Sequence, residues 1–486
     1  MVKAEPVFRA VLLVLPLAVA VLVLAALARG AEYDEQYTLF LTGQVARPDW
    51  GDAPFPAATA WALQHPAFDP ARVARALRET DVHPPLYFWL AGAWRSLLGA
   101  DLFMLRLLSV ACSVGALALV GVLAHRHGVR PGPAMLLTIG SYGFVYTGII
   151  ARGFALATLL TLAGVVLLTR NRRSLGLTAG LAFGAACCAN YLAVFAALGY
   201  LAGRVLSGAT RMRELAQVGL GMAPFLALDL WFFLAQRDAR PDQFPPFDLL
   251  ASLPRLARLI VANLFGGLPL YAPAPWSEVI TIVLAGAALC LLGITAWTLR
   301  SNPRPSLPLL GGTLGPPLGL LGLGMLFNNT PIELRYLAFS VPFAAILLAR
   351  APTIVLALVC AVQAVALGGL MLGRETMQPA RETARAAAIL ARGGLVLLPY
   401  GNDGVGIVGA FARESPSDLR LLVVRPTEDA AAIRRRIGDE RRVVIAAMAQ
   451  DDASRTTIPL MQQALAGPCW RPAGTGFNVA AFDRAC

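Results

Sequence analysis

Charged residues are scarce in this chain. They make up 14% of its 486 residues, against 57% apolar residues, whereas an ordinary soluble domain carries about 25%. This composition excludes a disordered chain, a collagen and a coiled coil, and only seven cysteines in this length exclude a secreted disulfide scaffold. Many apolar runs reach the roughly 20 residues that a helix needs to cross a bilayer. The sequence therefore predicts a polytopic membrane protein.

Motifs for soluble ligands are also missing. The sequence contains no zinc-ligand spacing, Walker loop, dinucleotide fingerprint or serine-nucleophile elbow, so we expect chemistry that needs no soluble nucleotide. The net charge of +12 would suit nucleic acid if the basic residues clustered on a polar domain. Many of them instead lie in short loops between apolar runs, as in the cytoplasmic loops of membrane proteins. We therefore predict a bilayer partner and no nucleic acid.

The apolar runs predict about eleven transmembrane helices. The first, residues 8–28, follows Lys3 and Arg9 and exceeds the apolar core of a signal peptide, which is about 7 to 15 residues long. We therefore expect an uncleaved helix with a cytoplasmic N-terminus. The other predicted spans are residues 102–124, 133–150, 154–169, 175–189, 191–206, 218–235, 279–299, 307–327, 334–349 and 352–372.

This number of crossings places the basic loops on one side of the membrane, and the positive-inside rule makes that side cytoplasmic. Residues 30–101 and 236–277 then form loops on the outer side. Residues 83–99 could cross once more, but later basic loops would then face outwards, so we predict a helix lying at the membrane surface. The basic residues used are His125, Arg126, Arg130, Arg170, Arg172, Arg173, Arg211, Arg213, Arg300, Arg304 and Arg350.

The composition changes at residue 373, where the charged fraction rises to about a quarter, as in a soluble domain. Two helical runs and three β-branched runs alternate after that point, which predicts a small α/β domain over residues 373–486. The number of crossings places this domain on the outer side of the membrane, after a transmembrane domain over residues 1–372. Cys469 and Cys486 lie in this domain, where an oxidising compartment would allow a disulfide between them. The runs are helical at 383–392 and 430–437 and β-branched at 395–398, 421–424 and 443–445.

Acidic residues cluster just beyond the first predicted span, where Tyr33, Asp34 and Glu35 follow Glu32. Asp34 and Glu35 could act as a general base, or could hold a divalent cation together with phosphate oxygens. The alternative from spacing alone is a solvated helix end.

Cationic residues lie at the outer ends of the predicted structures. His83 stands before two prolines at the start of the surface helix, and helix N-termini favour phosphate. Arg106, Arg152 and Arg335 lie at the outer edges of spans, and Arg335 follows Glu333 closely. Arginine at the membrane edge is costly unless it is paired or functional. Each one could therefore form a structural pair or hold a lipid phosphate, and His83 could equally be incidental.

Together these segments resemble the GT-C membrane glycosyltransferases, especially the bacterial relatives of protein O-mannosyltransferases and the aminoarabinose and galacturonic-acid transferases that act on lipid A or its core. The resemblance covers about residues 8–349. Arg152-Gly153-Phe154 is a loose version of the family's arginine motif, and Asn190-Tyr191 stands where relatives often have a more basic residue. The matching motifs, in order, are Tyr33-Asp34-Glu35, His83-Pro84-Pro85-Leu86-Tyr87, Arg106-Leu107-Leu108-Ser109 and Arg335-Tyr336-Leu337.

The resemblance implies an all-α polytopic GT-C fold with interfacial loop helices. It implies transfer of a sugar from a polyprenyl-phosphate donor to a glycolipid, glycan or protein acceptor, with inversion, at the periplasmic face of the bacterial inner membrane. Asp34, with Glu35 beside it, would bind or deprotonate the acceptor or help hold a divalent metal ion. The side chains implied for the donor phosphate are His83, Arg106, Arg152, Arg335 and Tyr336.

Two other classes of membrane protein fit the hydropathy. A transporter or lipid flippase would have a similar number of helices, but transporters tend to show internal repeats, broken helices and charges deep within spans. The sequence has no internal repeat, and Asp229 is its one clear mid-span acid. A scaffold without catalysis is the third class, and it would tolerate replacement of Asp34.

Overall fold

The computed structural model describes residues 5–169, 175–237, 245–300, 303–372 and 379–486. Arg170, Arg172 and Arg173, which the topology prediction uses, lie outside the described residues. The chain divides into two compact units. We call them the transmembrane unit (Met1–Leu27, Ala74–Tyr87 and Arg106–Leu372) and the sheet unit (Ala28–Val73, Phe88–Leu105 and Gly373–Cys486).

Helices dominate the described chain. The α-helices are α1 Glu5–Ala28, α2 Tyr33–Leu41, α3 Ala58–Leu63, α4 Pro70–Thr80, α5 Leu86–Leu98, α6 Leu102–Arg126, α7 Pro131–Gly140, α8 Tyr142–Ile149, α9 Phe154–Leu168, α10 Gly176–Ala189, α11 Ala193–Leu206, α12 Met212–Gln236, α13 Leu249–Leu264, α14 Leu268–Tyr271, α15 Trp276–Leu299, α16 Leu307–Phe327, α17 Val341–Leu348, α18 Thr353–Met371, α19 Ala380–Ala391, α20 Gly406–Glu414, α21 Ala430–Ile437 and α22 Asp452–Ala464. Two 3₁₀ helices cover Arg304–Ser306 and Leu334–Ser340. The strands are β1 Phe55–Pro56, β2 Leu395–Pro399, β3 Arg420–Val424, β4 Arg442–Ala446, β5 Trp470–Gly476 and β6 Val479–Arg484.

The helices occupy every predicted span, and the predicted fold class, a polytopic helical membrane protein with a small α/β part, is confirmed. Six described helices are long and apolar enough to cross a membrane, namely α1, α6, α12, α15, α16 and α18. The bent pair α8 and α9 makes a seventh if it counts as one span. The remaining predicted spans hold shorter helices. The backbone leaves the helical conformation at Ser141 within span 133–150 and at Asn190 between spans 175–189 and 191–206, and span 334–349 begins as a 3₁₀ helix.

Glycines let two pairs of helices in the transmembrane unit approach closely. A Cβ atom on Gly180 of α10 would lie 2.1 Å from the carbonyl oxygen of Val218 in α12. Gly199 of α11 and Gly311 of α16 face each other in the same way, since a Cβ on either would lie within 2.2 Å of the other's carbonyl oxygen. Lipid is as apolar as the side chains, so close backbone packing is what holds such helices together.

The sheet unit contains a six-stranded mixed sheet in the order β1-β3-β2-β4-β6-β5. The central strand β2 is buried along its whole length and pairs in parallel with β3 and β4, so that Leu397 stands opposite both Leu422 and Ile445. The predicted strands at 395–398, 421–424 and 443–445 coincide with these three. β5 was not predicted because Pro472, Gly474 and Gly476 interrupt its apolar pattern.

Part of the predicted first loop belongs to the sheet unit. β1 pairs with β3 in antiparallel register, and the indole N–H groups of Trp50 and Trp61 donate to the carbonyl oxygens of Gly404 and Ala412 at 2.6 and 2.7 Å. The compact unit therefore includes residues that precede the predicted boundary at 373. Long-range pairing of this kind has no local signature in the sequence.

Cys469 and Cys486 form a disulfide with a Cα–Cα distance of 5.0 Å, and the other five cysteines are free thiols. Thiol titration of denatured, unreduced protein should therefore find five reactive groups, and reduction should raise the number to seven. The double variant Cys469→Ser, Cys486→Ser is the control and should give five in both states. Seven thiols without reductant would show that the bond does not form.

Two glycines of α12 provide a matched test of the close helix packing. A Cβ on Gly221 would lie 2.2 Å from the carbonyl oxygen of Leu177, whereas a Cβ on Gly219 would meet nothing within 4 Å. Gly221→Ala should destabilise the protein by about 1–3 kcal/mol, and Gly219→Ala should leave it unchanged or stabilise it by up to about 1 kcal/mol. Thermal unfolding in detergent measures both, and equal midpoints would contradict the observed helix contact.

Candidate functional site

The acidic motif lies at the start of α2. Glu32 is the N-cap residue, and it forms a reciprocal capping box with Glu35. The Glu35 carboxylate accepts a hydrogen bond from the backbone N–H of Glu32 at 3.0 Å and is fully buried. Asp34 is half-buried. The predicted pair therefore separates into two roles, because Glu35 stabilises the helix end while Asp34 is the more accessible carboxylate.

Glu32 is also committed to a structural contact. The Nε of Arg29 donates to the Glu32 carboxylate at 2.9 Å, and both side chains are buried. The negative charge of Glu32 is thus balanced locally. Of the three acidic residues in this cluster, Asp34 is the one that is not buried.

A second cluster lies in the transmembrane unit, where His83 contacts Asp81 and Arg152. The Nδ1 of His83 lies 2.8 Å from Asp81 Oδ1, and its Nε2 lies 2.7 Å from an Arg152 guanidinium nitrogen. A guanidinium can only donate, so Nε2 accepts and the ring proton stays on Nδ1, which donates to Asp81. Sequence reasoning predicted His83 and Arg152 but missed Asp81, although the spacing Asp81-Val82-His83 was visible.

The backbone around this cluster is held by hydrogen bonds and close packing. Arg152 lies in the break between α8 and α9, where the chain turns by 117°. The neighbouring Gly153 packs so tightly that a Cβ there would lie 2.2 Å from the carbonyl oxygen of Ala189. The Gln236 side chain donates to the carbonyl oxygen of His83 at 2.8 Å and accepts from the Tyr191 hydroxyl at 2.9 Å. Asn190-Tyr191, where the sequence differs from the family motif, thus contributes the Tyr191 hydroxyl, which supports the cluster through Gln236.

The late arginine motif adjoins the Arg152 motif. The ring of Tyr336 stacks on that of Phe154, two residues after Arg152, with centroids 6.2 Å apart. An Arg335 guanidinium nitrogen lies 2.6 Å from the Glu333 carboxylate. Burial raises the pKa of Glu333 to about 7, although the charge of Arg255 acts in the opposite direction. Arg335 itself is positively charged at every physiological pH.

Arg106 has a structural contact. Its guanidinium donates to the carbonyl oxygen of Ala26 at 2.8 Å, and the side chain is buried. This bond joins α6 to the end of α1. In the same motif, the Ser109 hydroxyl donates to the carbonyl oxygen of Ile150 at 2.7 Å, directly before the break that carries Arg152.

The transmembrane unit therefore brings together Asp81, His83 and Arg152. It also stacks the ring of Tyr336 on Phe154, two residues after Arg152. Asp34 and Glu35 belong to the sheet unit. In the part of the chain that the structure describes, no three His, Cys, Asp or Glu side chains converge. The donor set around Asp34 does not fit a metal site built from protein ligands, and we derive no step through a metal.

A cavity of about 570 Å³ lies in the transmembrane unit. Its walls come mainly from α15, α16 and α17 and are almost entirely apolar, with leucines such as Leu291, Leu310 and Leu348. Asn263 and Arg300 are among the few polar residues on its surface. A space of this composition is suited to hydrocarbon and not to a soluble sugar.

No family model matches the sequence, and no curated protein matches it. Among solved structures, the chain is similar to ArnT from Cupriavidus metallidurans bound to undecaprenyl phosphate, with a TM-score of 0.56, and to the same protein in the apo state, with a TM-score of 0.57. Each alignment covers 97% of this chain and 97% of the other, at 11% identity. At this identity the likeness establishes the fold, and the chain has the GT-C fold of these structures.

Proposed function

We propose that this protein is a membrane glycosyltransferase that uses a polyprenyl-phosphate sugar as its donor. The observation that carries the proposal is the contact between His83 and Arg152, two motif residues 69 positions apart in the chain. A buried arginine beside a neutral histidine, in a fold shared with a protein bound to a lipid phosphate, is suited to a phosphate ligand.

The donor phosphate requires positive charge because the lipid phosphate leaves with the electron pair of the broken glycosidic bond. Arg152 would donate hydrogen bonds to that phosphate, and these contacts strengthen as negative charge develops on its oxygen. His83, held by Asp81 in one tautomer, would orient the guanidinium. Arg335 would add further positive charge.

Asp34 would act on the acceptor. Its carboxylate would take the proton from an acceptor hydroxyl while that oxygen forms a bond to the anomeric carbon of the sugar. The bond from that carbon to the phosphate oxygen breaks on the opposite face, so the configuration inverts. Glu35 would contribute by capping the helix that carries Asp34.

The membrane supplies the rest of the site. The apolar cavity would hold part of the polyprenyl chain, which reaches it laterally from the bilayer. We place the reaction at the periplasmic face of a bacterial inner membrane, with the N-terminus in the cytoplasm and residues 373–486 outside. The acceptor would be a cell-envelope glycolipid, a glycan or a protein. Any divalent cation at Asp34 would complete its coordination with phosphate and water oxygens.

The central test is turnover of lipid-linked sugars. Purified protein in vesicles is mixed with a panel of radiolabelled polyprenyl-phosphate sugars, with and without EDTA, and label transfer and release of polyprenyl phosphate are measured. Asp34→Asn should lower turnover by about 10²- to 10⁴-fold because the general base is lost. Asp452→Asn, an exposed residue of α22, is the matched control and should behave as wild type.

If wild type turns over no donor and Asp34→Asn supports growth as well as wild type, the transporter or scaffold alternatives replace this proposal.

The phosphate role of Arg152 predicts a distinct kinetic effect. Arg152→Lys should lower kcat by about 10²- to 10³-fold, since one oriented donor to a developing charge is lost. Arg126→Lys is the control, because the Arg126 guanidinium is likewise hydrogen-bonded, here to the carbonyl oxygen of Val166, but it lies in the last turn of α6 and outside the His83–Arg152 cluster. A wild-type kcat in Arg152→Lys would remove Arg152 from the phosphate site.

A further inference from the structure

We propose that Asp403, in the loop between β2 and α20, is a positioning residue that fixes the rotation of α2 and thereby the direction of Asp34. This inference rests on the proposed function, because the geometry matters only if Asp34 acts on a substrate. All the residues involved belong to the sheet unit.

The loop that carries Asp403 is anchored firmly to the sheet. It connects the buried central strand β2 to α20, and Gly401 and Gly404 adopt positive φ angles of 70° and 71°. The backbone N–H of Asn402 donates to Asp451 at 3.0 Å, and Asp403 Oδ1 accepts from the backbone N–H of Val405 at 3.1 Å. One oxygen of Asp403 thus holds the loop, and Oδ2 remains for other contacts.

That second oxygen binds α2 and the chain after it. The Tyr37 hydroxyl donates to Asp403 Oδ2 at 2.7 Å, and a guanidinium nitrogen of Arg47 lies 2.6 Å from the same atom. The Tyr33 hydroxyl lies 3.0 Å from that of Tyr37. A carboxylate only accepts hydrogen bonds, so the Tyr37 hydroxyl donates its one hydrogen bond to Asp403. It must therefore accept a hydrogen bond from the Tyr33 hydroxyl. Asp403 therefore orients a chain of two hydroxyls that ends at Tyr33, the residue that precedes Asp34 in α2.

The same face of α2 packs on α20. A Cβ on Gly406 would lie 2.3 Å from ring atoms of Tyr33, and a Cβ on Gly409 would lie 2.8 Å from the Gln36 side chain and 2.9 Å from the ring of Phe40. With Tyr37, these residues form the i, i+3, i+4, i+7 stripe of a helix that rests on one surface. Asp34 is outside the stripe, so the direction of its carboxylate depends on how the stripe is seated.

α2 needs such an anchor because it is only nine residues long. Isolated helices shorter than about 12 to 15 residues are marginal in water, so tertiary contacts must decide its orientation. The chain before α2 is held separately, since Arg381 donates to the carbonyl oxygen of Ala28 at 2.7 Å and the N–H of Ala31 donates to Glu414 at 2.6 Å. Loss of Asp403 should therefore loosen α2 without detaching the segment.

The test compares three variants in the donor-turnover assay, with the thermal midpoint measured on the same samples. Asp403→Ala should lower kcat by about 10- to 100-fold, since a misplacement of about 1 Å can cost 10²-fold, and should change the KM for donor little. Asp403→Asn keeps an acceptor for Tyr37 and should be less affected than Asp403→Ala. Tyr37→Phe should resemble Asp403→Ala.

A structural pair elsewhere in the sheet is the control. Asp483 accepts two hydrogen bonds from Arg442 at 2.6 Å, so Asp483→Asn should lower the thermal midpoint and leave kcat unchanged. If Asp403→Ala keeps the wild-type kcat, the inference is wrong. It is also wrong if kcat and the thermal midpoint fall together in Asp403→Ala, as expected for a purely structural residue.

Hydrogen exchange separates this inference from the proposed function. Amide exchange in residues 37–41 should be faster in Asp403→Ala than in wild type and unchanged in Asp483→Asn. If wild type has no transferase activity but the two variants show this exchange pattern, the proposed function is wrong and the anchoring role of Asp403 is retained. Unchanged exchange in Asp403→Ala would overturn the anchoring role, whatever the activity.

Discussion

A buried guanidinium must find partners inside the protein, because the surrounding bilayer offers none. Arg152 meets this constraint at the break between α8 and α9, where its exposed fraction is 4%. His83 is its partner, and the His83 ring in turn contacts Asp81, which is itself buried. The position of the Arg152 guanidinium is fixed by the bent backbone and by the packing of the adjacent Gly153 against the end of α10. The proposed phosphate site is a consequence of that placement.

The constraint on Asp34 is one of orientation and not of burial, since Asp34 lies on a helix that is too short to fix its own orientation. Residues from three parts of the chain together fix this orientation. Arg29 and Glu32 set the start of α2, and Arg381 holds the preceding backbone. Asp403 accepts a hydrogen bond from Tyr37 in the second turn of α2. The α/β part of the protein, which has no recognisable motif of its own, thereby acquires a role in supporting the acidic motif.

The sequence predicted the features that have a local signature. Long apolar runs predicted the helices, and β-branched runs predicted β2, β3 and β4. The short polar motifs named His83 and Arg152, which the structure brings into contact. Features that depend on distant contacts were missed. The local sequence does not show whether Glu35 caps a helix or acts in catalysis. It also does not show that Trp50 and Trp61 donate to main-chain carbonyl oxygens more than 350 positions away. The break at Asn190 coincides with the predicted boundary between two spans, whereas the break at Ser141 was missed because apolar residues continue on both sides.

The 117° bend between α8 and α9 is a feature that transporters also use, since broken helices in carriers commonly line a substrate site. The details of this bend favour a fixed site. Arg152 is paired with a histidine whose tautomer is set by Asp81, Gly153 contacts a carbonyl oxygen, and Phe154 stacks on Tyr336. A carrier must exchange such contacts during each cycle, whereas a transferase needs them preorganised, because the stabilisation of a leaving phosphate depends on dipoles that do not move during the reaction. Rigid support around the buried Arg152 therefore favours the proposed transferase over a transporter.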